Sequence, residues 1–148
     1  MANIERTEAY IEGTLEQLEP TTEQIEREME EVEQRIQKLE ADLAAVQQRG
    51  DSKLAGSMQA SLERERAEKR RIAQQAQQEI QKVESLMQRI REVDQWNTEA
   101  QKILAEQARL GIPTDRATEK VYQRQRWVEK EWDEAQDKRQ RLSKLVGT

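Results

Sequence analysis

The densest reactive groups in the chain are two carboxylate clusters, Glu28, Glu30, Glu31 and Glu33, and Glu129, Glu131, Asp133 and Glu134. Crowded carboxylates can share a proton for acid–base work or hold a hard cation. A dimetal site in a helical bundle also uses Glu-x-x-His, and the chain has no His. A calcium loop alternates Asp or Asn around a glycine, and neither cluster does. Solvated helix faces are therefore the expected reading of both. With no His and no Cys there is no imidazole base, no thiol nucleophile and no nitrogen or sulfur ligand for a transition metal. The sequence thus predicts a non-enzymatic protein with no catalytic residue, no metal site and no cofactor. Disulfides are impossible, so cysteine usage says nothing of the redox compartment.

The basic counterpart lies between Arg64 and Arg71, with Arg64, Arg66, Lys69, Arg70 and Arg71. Clustered bases are what a phosphate backbone needs, but no aromatic residue is nearby to stack a base. Interhelical pairing is the competing reading and the favoured one. Residues 1–50 hold 13 acids and 5 bases, residues 51–91 hold 6 acids and 9 bases, and the two segments face each other if the chain folds back at Gly50. Such complementarity sets register and partner choice more than stability, since exposed pairs contribute about 0–1 kcal/mol each. Nucleic acid is an unlikely partner.

Aromatic residues are few: Tyr10, Trp96, Tyr122, Trp127 and Trp132. Trp96 and Trp132 fall on apolar faces and are expected in the core. Trp127 and Tyr122 lie beside a seam, where each packs on another helix or stands out as an anchor for a partner protein. Arg49-Gly50-Asp51 spells an integrin-binding tripeptide, a three-residue match that chance accounts for.

These groups need long helices to position them. Apolar residues fall at Ile4, Ile11, Leu15, Leu18, Ile25, Met29, Val32, Ile36, Leu39, Leu43 and Val46, on one alternating 3-and-4 spacing with Glu8 and Thr22 as its polar members. That is a heptad seam over six repeats. Pro20 interrupts it, and Thr21 with Gln24 resembles a capping box, so the sequence predicts a break or kink at 19–21 with register kept. Gly50 ends this helix, and Asp51 or Ser52 caps the next. Residues 49–57 read as a small, polar tip. A second helix runs over about 53–110, and Gly111-Ile112-Pro113 turns the chain. Thr114 and Asp115 then open a third helix over about 114–146, with its register at Val121, Gln125, Val128, Trp132, Ala135, Arg139, Leu142 and Val146.

The middle helix has a thin stripe at Met58, Leu62, Glu65, Lys69 and Ile72. Its face widens from Ile80 onward, where one stripe (Ile72, Ala76, Val83, Leu86, Ile90, Val93, Ala100, Leu104) is joined by a second (Ile80, Met87, Trp96, Ile103, Leu110). A narrow stripe suits one partner helix and a wide face suits two. Folding at Gly50 brings Ile4 near Trp96, and folding at Ile112 brings Val146 near Gln78, so both outer helices overlap only where the face is wide. The expectation is an all-α, elongated antiparallel coiled coil over residues 1–148. It would be one domain of three main helices, a rod about 85 Å long with a two-helix arm and a three-helix body.

Composition agrees. Charged residues make up 37% and hydrophobic ones 34%, with no Phe, too few large apolar side chains for a thick core but enough for seams. The ordered apolar spacing distinguishes this chain from a disordered one. No apolar run approaches the roughly 20 residues of a membrane span and the opening lacks a signal-peptide core, so a cytoplasmic protein is expected, with leaderless export left open. In length and polarity the whole chain resembles the helical-hairpin stalk proteins of bacterial export ATPases. It lacks the Trp-x-Gly turn of the helical-hairpin substrates of specialised secretion.

The functional expectation is a structural or adaptor protein acting through protein–protein contacts, self-association included. The alternative is a secretion- or assembly-associated stalk, chaperone or scaffold. Candidate partner-binding residues are Trp127 and Tyr122, the tip residues Lys53, Leu54 and Ser57, and the polar seam members Glu65 and Lys69, where the thin stripe leaves room for a foreign helix.

Overall fold

The computed structural model describes residues 2–147, and all its regular structure is helical: α1 (Ala2–Gln48), α2 (Ser52–Arg109) and α3 (Asp115–Val146). Glu, Gln, Lys, Arg, Ala and Leu supply the intrinsic propensity. The turns do the stopping. Gly50 and Gly111 adopt φ of 77° and 82°, the left-handed conformation that only glycine takes at little cost. At the second turn the Ile112 N–H reaches the Gln107 carbonyl at 3.0 Å and the Gly111 N–H reaches Ala108 at 3.1 Å. That pair of bonds is a Schellman motif. Asp51 caps α2, its Oδ1 accepting from the Leu54 N–H at 3.1 Å. The cap starts α2 at Ser52, so Ser52 to Ser57, read as tip, form its first turns.

Pro20 does not break α1, which is helical on both sides of it. Proline removes one ladder bond and crowds the preceding turn, a cost of about 3 kcal/mol in a helix interior. Two facts offset it here. Pro20 sits on the exposed side of α1, where a freed carbonyl can be hydrated. The buried stripe also continues through it, with Leu15, Leu18, Thr22 and Ile25 all under 5% exposed, and each large apolar residue so buried contributes about 1.5–3 kcal/mol. Packing on both flanks outweighs the local defect, and the expected restart at Thr21 is absent.

Two compact units divide the chain. The first comprises Met1–Glu19 and Gln81–Gln140, the second Pro20–Ile80 and Arg141–Thr148. In the first, all three helices contribute buried residues, among them Ile11 and Leu15 from α1, Val83, Ile90 and Val93 from α2, and Val121, Val128 and Ala135 from α3. In the second, α1 and α2 supply Ile25, Met29, Val32, Val46, Leu62, Ile72 and Ala76, and the last turns of α3 add Leu142. Each is a helical bundle. No helix among the described residues is long and apolar enough to cross a membrane.

The α3 register departs from expectation in its second line. Val121, Val128, Ala135 and Leu142 are buried as predicted, but Glu131 and Lys138 are buried beside them while Arg139 is exposed. In the first unit α3 faces α1 as well as α2, and the α1-facing line contains Arg124, Glu131 and Lys138. Arg139 lies at the α2 border, 3.7 Å from Glu84.

Candidate functional site

The carboxylate clusters are spread along helix faces, and no group of acids among the described residues has the geometry to hold a metal ion. Glu30, Glu31, Glu129, Asp133 and Glu134 are exposed. Glu28 and Glu33 are half-buried, and Glu131 is buried, 5% exposed and with no cation in contact among the described residues. Burial pushes its carboxyl above the ordinary range, and the nearby charges of Glu134, Glu12 and Glu16 add to the rise against a smaller opposing pull from Lys130.

Three of the five bases in the run pair with acids. Arg66 lies 3.9 Å from Glu40 and Lys69 3.8 Å from Glu33 on α1, and Arg71 is held by Glu68 one turn away. Glu65 receives the Arg35 Nε–H at 3.0 Å. The seam candidates Glu65 and Lys69 are thus half-buried and bridged to α1. At the tip, Lys53, Leu54 and Ser57 are exposed on the first turns of α2, and Leu54 borders a shallow hollow with Val46, Arg49 and Met58. The Asp51 carboxylate of the Arg-Gly-Asp tripeptide is engaged in capping.

The aromatic residues separate into two kinds. Trp127 is half-buried and donates its indole N–H to Glu12 of α1 at 2.5 Å. Trp132 is half-buried under the Arg91 guanidinium, 5.0 Å from the ring centre. Tyr10 is half-exposed with Arg89 above it at 4.6 Å. Tyr122 stands 61% exposed on α3, beside Thr118, Gln125 and Glu129. Trp96, expected in the core, is 36% exposed.

Trp96 is uncovered because of its heptad position. Arg89 faces α1 through Tyr10, and Trp96, Ile103 and Leu110 follow it at intervals of seven along the same side of α2. The opposite side of α2, through Glu84, Arg91 and Asn97, is turned to α3: Asn97, fully buried, donates its side-chain N–H to the Val121 carbonyl at 3.1 Å. On α3, Arg124 bonds Glu8 and Trp127 bonds Glu12. One heptad earlier, Lys120 lies level with Glu5 of α1, while Ala117 has no described residue of α1 opposite it. Beyond Trp96 the α1-facing stripe continues past the described residues of α1, with Ile103 59% and Leu110 69% exposed. The sequence marked Trp96, Ile103 and Leu110 as apolar stripe, but nominated none of them for binding. The signal was available in the hairpin arithmetic, which ends α1 near Trp96 while the stripe goes on to Leu110.

Comparison with known proteins finds no matching family model, no similar curated sequence and no similar solved structure.

Proposed function

We propose that the chain is a non-enzymatic adaptor or scaffold whose helices, zipped as antiparallel coiled coils by the 3-4 stripes, hold an apolar surface ready for another protein. The observation that carries this reading is the stripe Trp96, Ile103 and Leu110, uncovered at one end of a unit whose other large apolar side chains are mostly buried. Soluble proteins leave few such contiguous apolar stretches open, and those they do leave tend to mark contact sites. Tyr122 and Leu54 are secondary contact points on separate faces. The buried side chains supply helix-to-helix seams, and the pairing of Arg66 and Lys69 with α1 and of Arg71 with Glu68 speaks against a phosphate-binding role.

The test is a photo-crosslinking amino acid placed singly at Ile103, Tyr122 and Leu54 in the native cell. Discrete protein adducts are expected, strongest from Ile103. Adducts to nucleic acid alone, or no adduct from any of the three, would overturn the adaptor reading.

A further inference from the structure

We infer that the outer groove between α2 and α3 binds an arginine side chain presented by a partner protein, with Trp132 as its platform and Asp94, Glu129 and Asp133 as its counter-charges. The site is separate from the Trp96 stripe. It rests on the adaptor reading and adds what the partner must carry. All its residues belong to the first unit. Ile90 of α2 and Val128 of α3 form the floor, and Trp132 a wall, of a hollow of about 480 Å³, within the range of about 300–1,000 Å³ of small-ligand clefts. In this unit α1 packs on the other side of both helices, through Tyr10 to Arg89 and through Glu8 and Glu12 to Arg124 and Trp127. The hollow therefore opens on the face turned away from α1.

An internal cation already marks the platform. Arg91 lays its guanidinium over the Trp132 ring, 5.0 Å from the centre, the arrangement by which an indole face attracts a cation. Its reach ends there. Arg91 makes no ion pair among the described residues, and Asp94, Glu129 and Asp133 have no cation in contact among them. Glu129 accepts only the Gln125 side-chain N–H, at 3.4 Å. The next base along α3, Arg126, lines the neighbouring hollow beside Tyr122 and forms no ion pair with Glu129. Three acids thus surround one base, and that base serves the ring alone.

The layout selects among cations. A metal ion is a poor fit, because no group of acids among the described residues converges closely enough to hold one. The carboxylates stand on two helices, Asp94 on α2 and Glu129 and Asp133 one turn apart on α3, with the ring between them. A guanidinium answers that spread, since its flat face stacks on the indole while its fixed fork of N–H donors reaches outward to separate carboxylates. A lysine ammonium is a compact, strongly hydrated charge that cannot stack and reach at once. An incoming arginine meets the acids that Arg91 leaves open, and it displaces Arg91 from the ring or shares the groove with it.

The experiment titrates the nitrogen-15-labelled full chain with short capped Ala/Gln peptides identical except for a central arginine, lysine or citrulline, the neutral isostere of arginine. NMR follows the Trp132 indole N–H, assigned from Trp132→Phe. The arginine peptide should move that signal, binding about threefold more tightly than the lysine peptide and about tenfold more tightly than the citrulline one. Arg91→Ala uncovers the ring and should raise arginine-peptide affinity about threefold. D94N/E129Q/D133N, isosteric and with unchanged circular dichroism, should lower it about tenfold. The whole chain carries a net charge of −5, so E23Q/E30Q/E31Q on the exposed face of α1 is the control and should leave binding unaltered. An equal loss in that control would mean adhesion to an acidic surface and overturn the proposal. An unmoved Trp132 signal, or equal affinity for arginine and citrulline, would overturn it as well. Sedimentation showing a dimer that D94N/E129Q/D133N dissolves would overturn it in favour of an arginine from a second copy. If the peptides fail while cellular crosslinks persist at Ile103 or Leu54, the arginine site falls and the adaptor reading stands. Loss of those crosslinks too sinks both.

Discussion

The two units treat charge differently. In the second, along the stretch where α1 and α2 alone meet, acids and bases pair at half-exposed positions: Arg35 with Glu65, Arg66 with Glu40, Lys69 with Glu33. Only where the last turns of α3 join do charges move inward, with Glu79 buried and Arg141 held by a part-buried Glu26. In the first, where a third helix adds cover, charged groups are drawn inward. The Arg124 and Glu8 side chains are about a fifth exposed, Lys138 is buried against Glu19, and Glu131 is buried with no cation in contact among the described residues. A seam between two helices keeps its flanks in water, whereas the same heptad positions between three helices become interior. Equal sequence spacing therefore carries unequal energetic weight, and substitutions can measure the difference.

The largest contrast should come from apolar truncation. Ile90 of α2 is fully buried in the first unit, and Ile90→Ala should cost about 3–4 kcal/mol of unfolding free energy. Leu39→Ala, at a half-buried seam position of the second unit, should cost about 1 kcal/mol, because less area leaves water and solvent can fill the gap. Urea denaturation read by circular dichroism measures both. Equal losses would mean that the third helix adds no effective burial.

Next in size is the ion-pair contrast. Lys138→Ala removes the ion pair with Glu19 and opens a gap in a buried line, for about 1–2 kcal/mol. Lys69→Ala removes a pair more than a third exposed on both sides and should change stability by at most about 0.5 kcal/mol. Double-mutant cycles with Glu19→Ala and Glu33→Ala separate pairing from packing. A coupling energy no larger for the 19–138 pair than for the 33–69 pair would refute the burial argument.

What could be read in advance follows the same division. The α1 stripe was fully legible, since eleven apolar residues on one spacing admit one helix face, and Gly50, Gly111, Asp51 and Thr114 announced the turns. Pro20 misled because a local rule cannot weigh Leu15, Leu18 and Ile25 packing on both sides of it. Glu131 and Lys138 were hidden, because a charged residue reads as solvent-facing until the opposite helix is known. The uncovered stripe was half legible: its residues were named, but Trp96 was assigned to the core, since heptad position says which side a residue faces and not where the covering helix stops.

A smaller effect sits within the second unit. Thr22 is a polar member of the α1 stripe, fully buried, and its hydroxyl finds no partner. Thr22→Val keeps the shape and removes an unsatisfied donor, so it should stabilise the chain by about 1 kcal/mol in urea titration. A loss instead would show that the hydroxyl is solvated within the seam.

The smallest effect depends on pH and concerns Glu131. Its carboxyl ionises at higher pH in the folded chain than the usual glutamate value of 4.5, chiefly because burial penalises the charge and secondarily because Glu134, Glu12 and Glu16 repel it. The folded chain thus holds this proton where the unfolded chain has lost it. The stability this lends is full below the ordinary glutamate range and is lost as pH rises through the raised folded value. Glu131→Gln keeps the size, stays neutral throughout and can donate to the neighbouring carboxylates. It should match the natural chain below pH 4.5 and exceed it near neutrality, by a Tm rise of about 1–2 °C. Thermal melts of both chains across that interval report on residue 131 and its coupling to Glu134, Glu12 and Glu16, because the two chains differ nowhere else. A Tm difference that stays constant with pH would mean that Glu131 is hydrated in solution, and the inward drawing of charge in the three-helix unit would then stop at the Lys138 line.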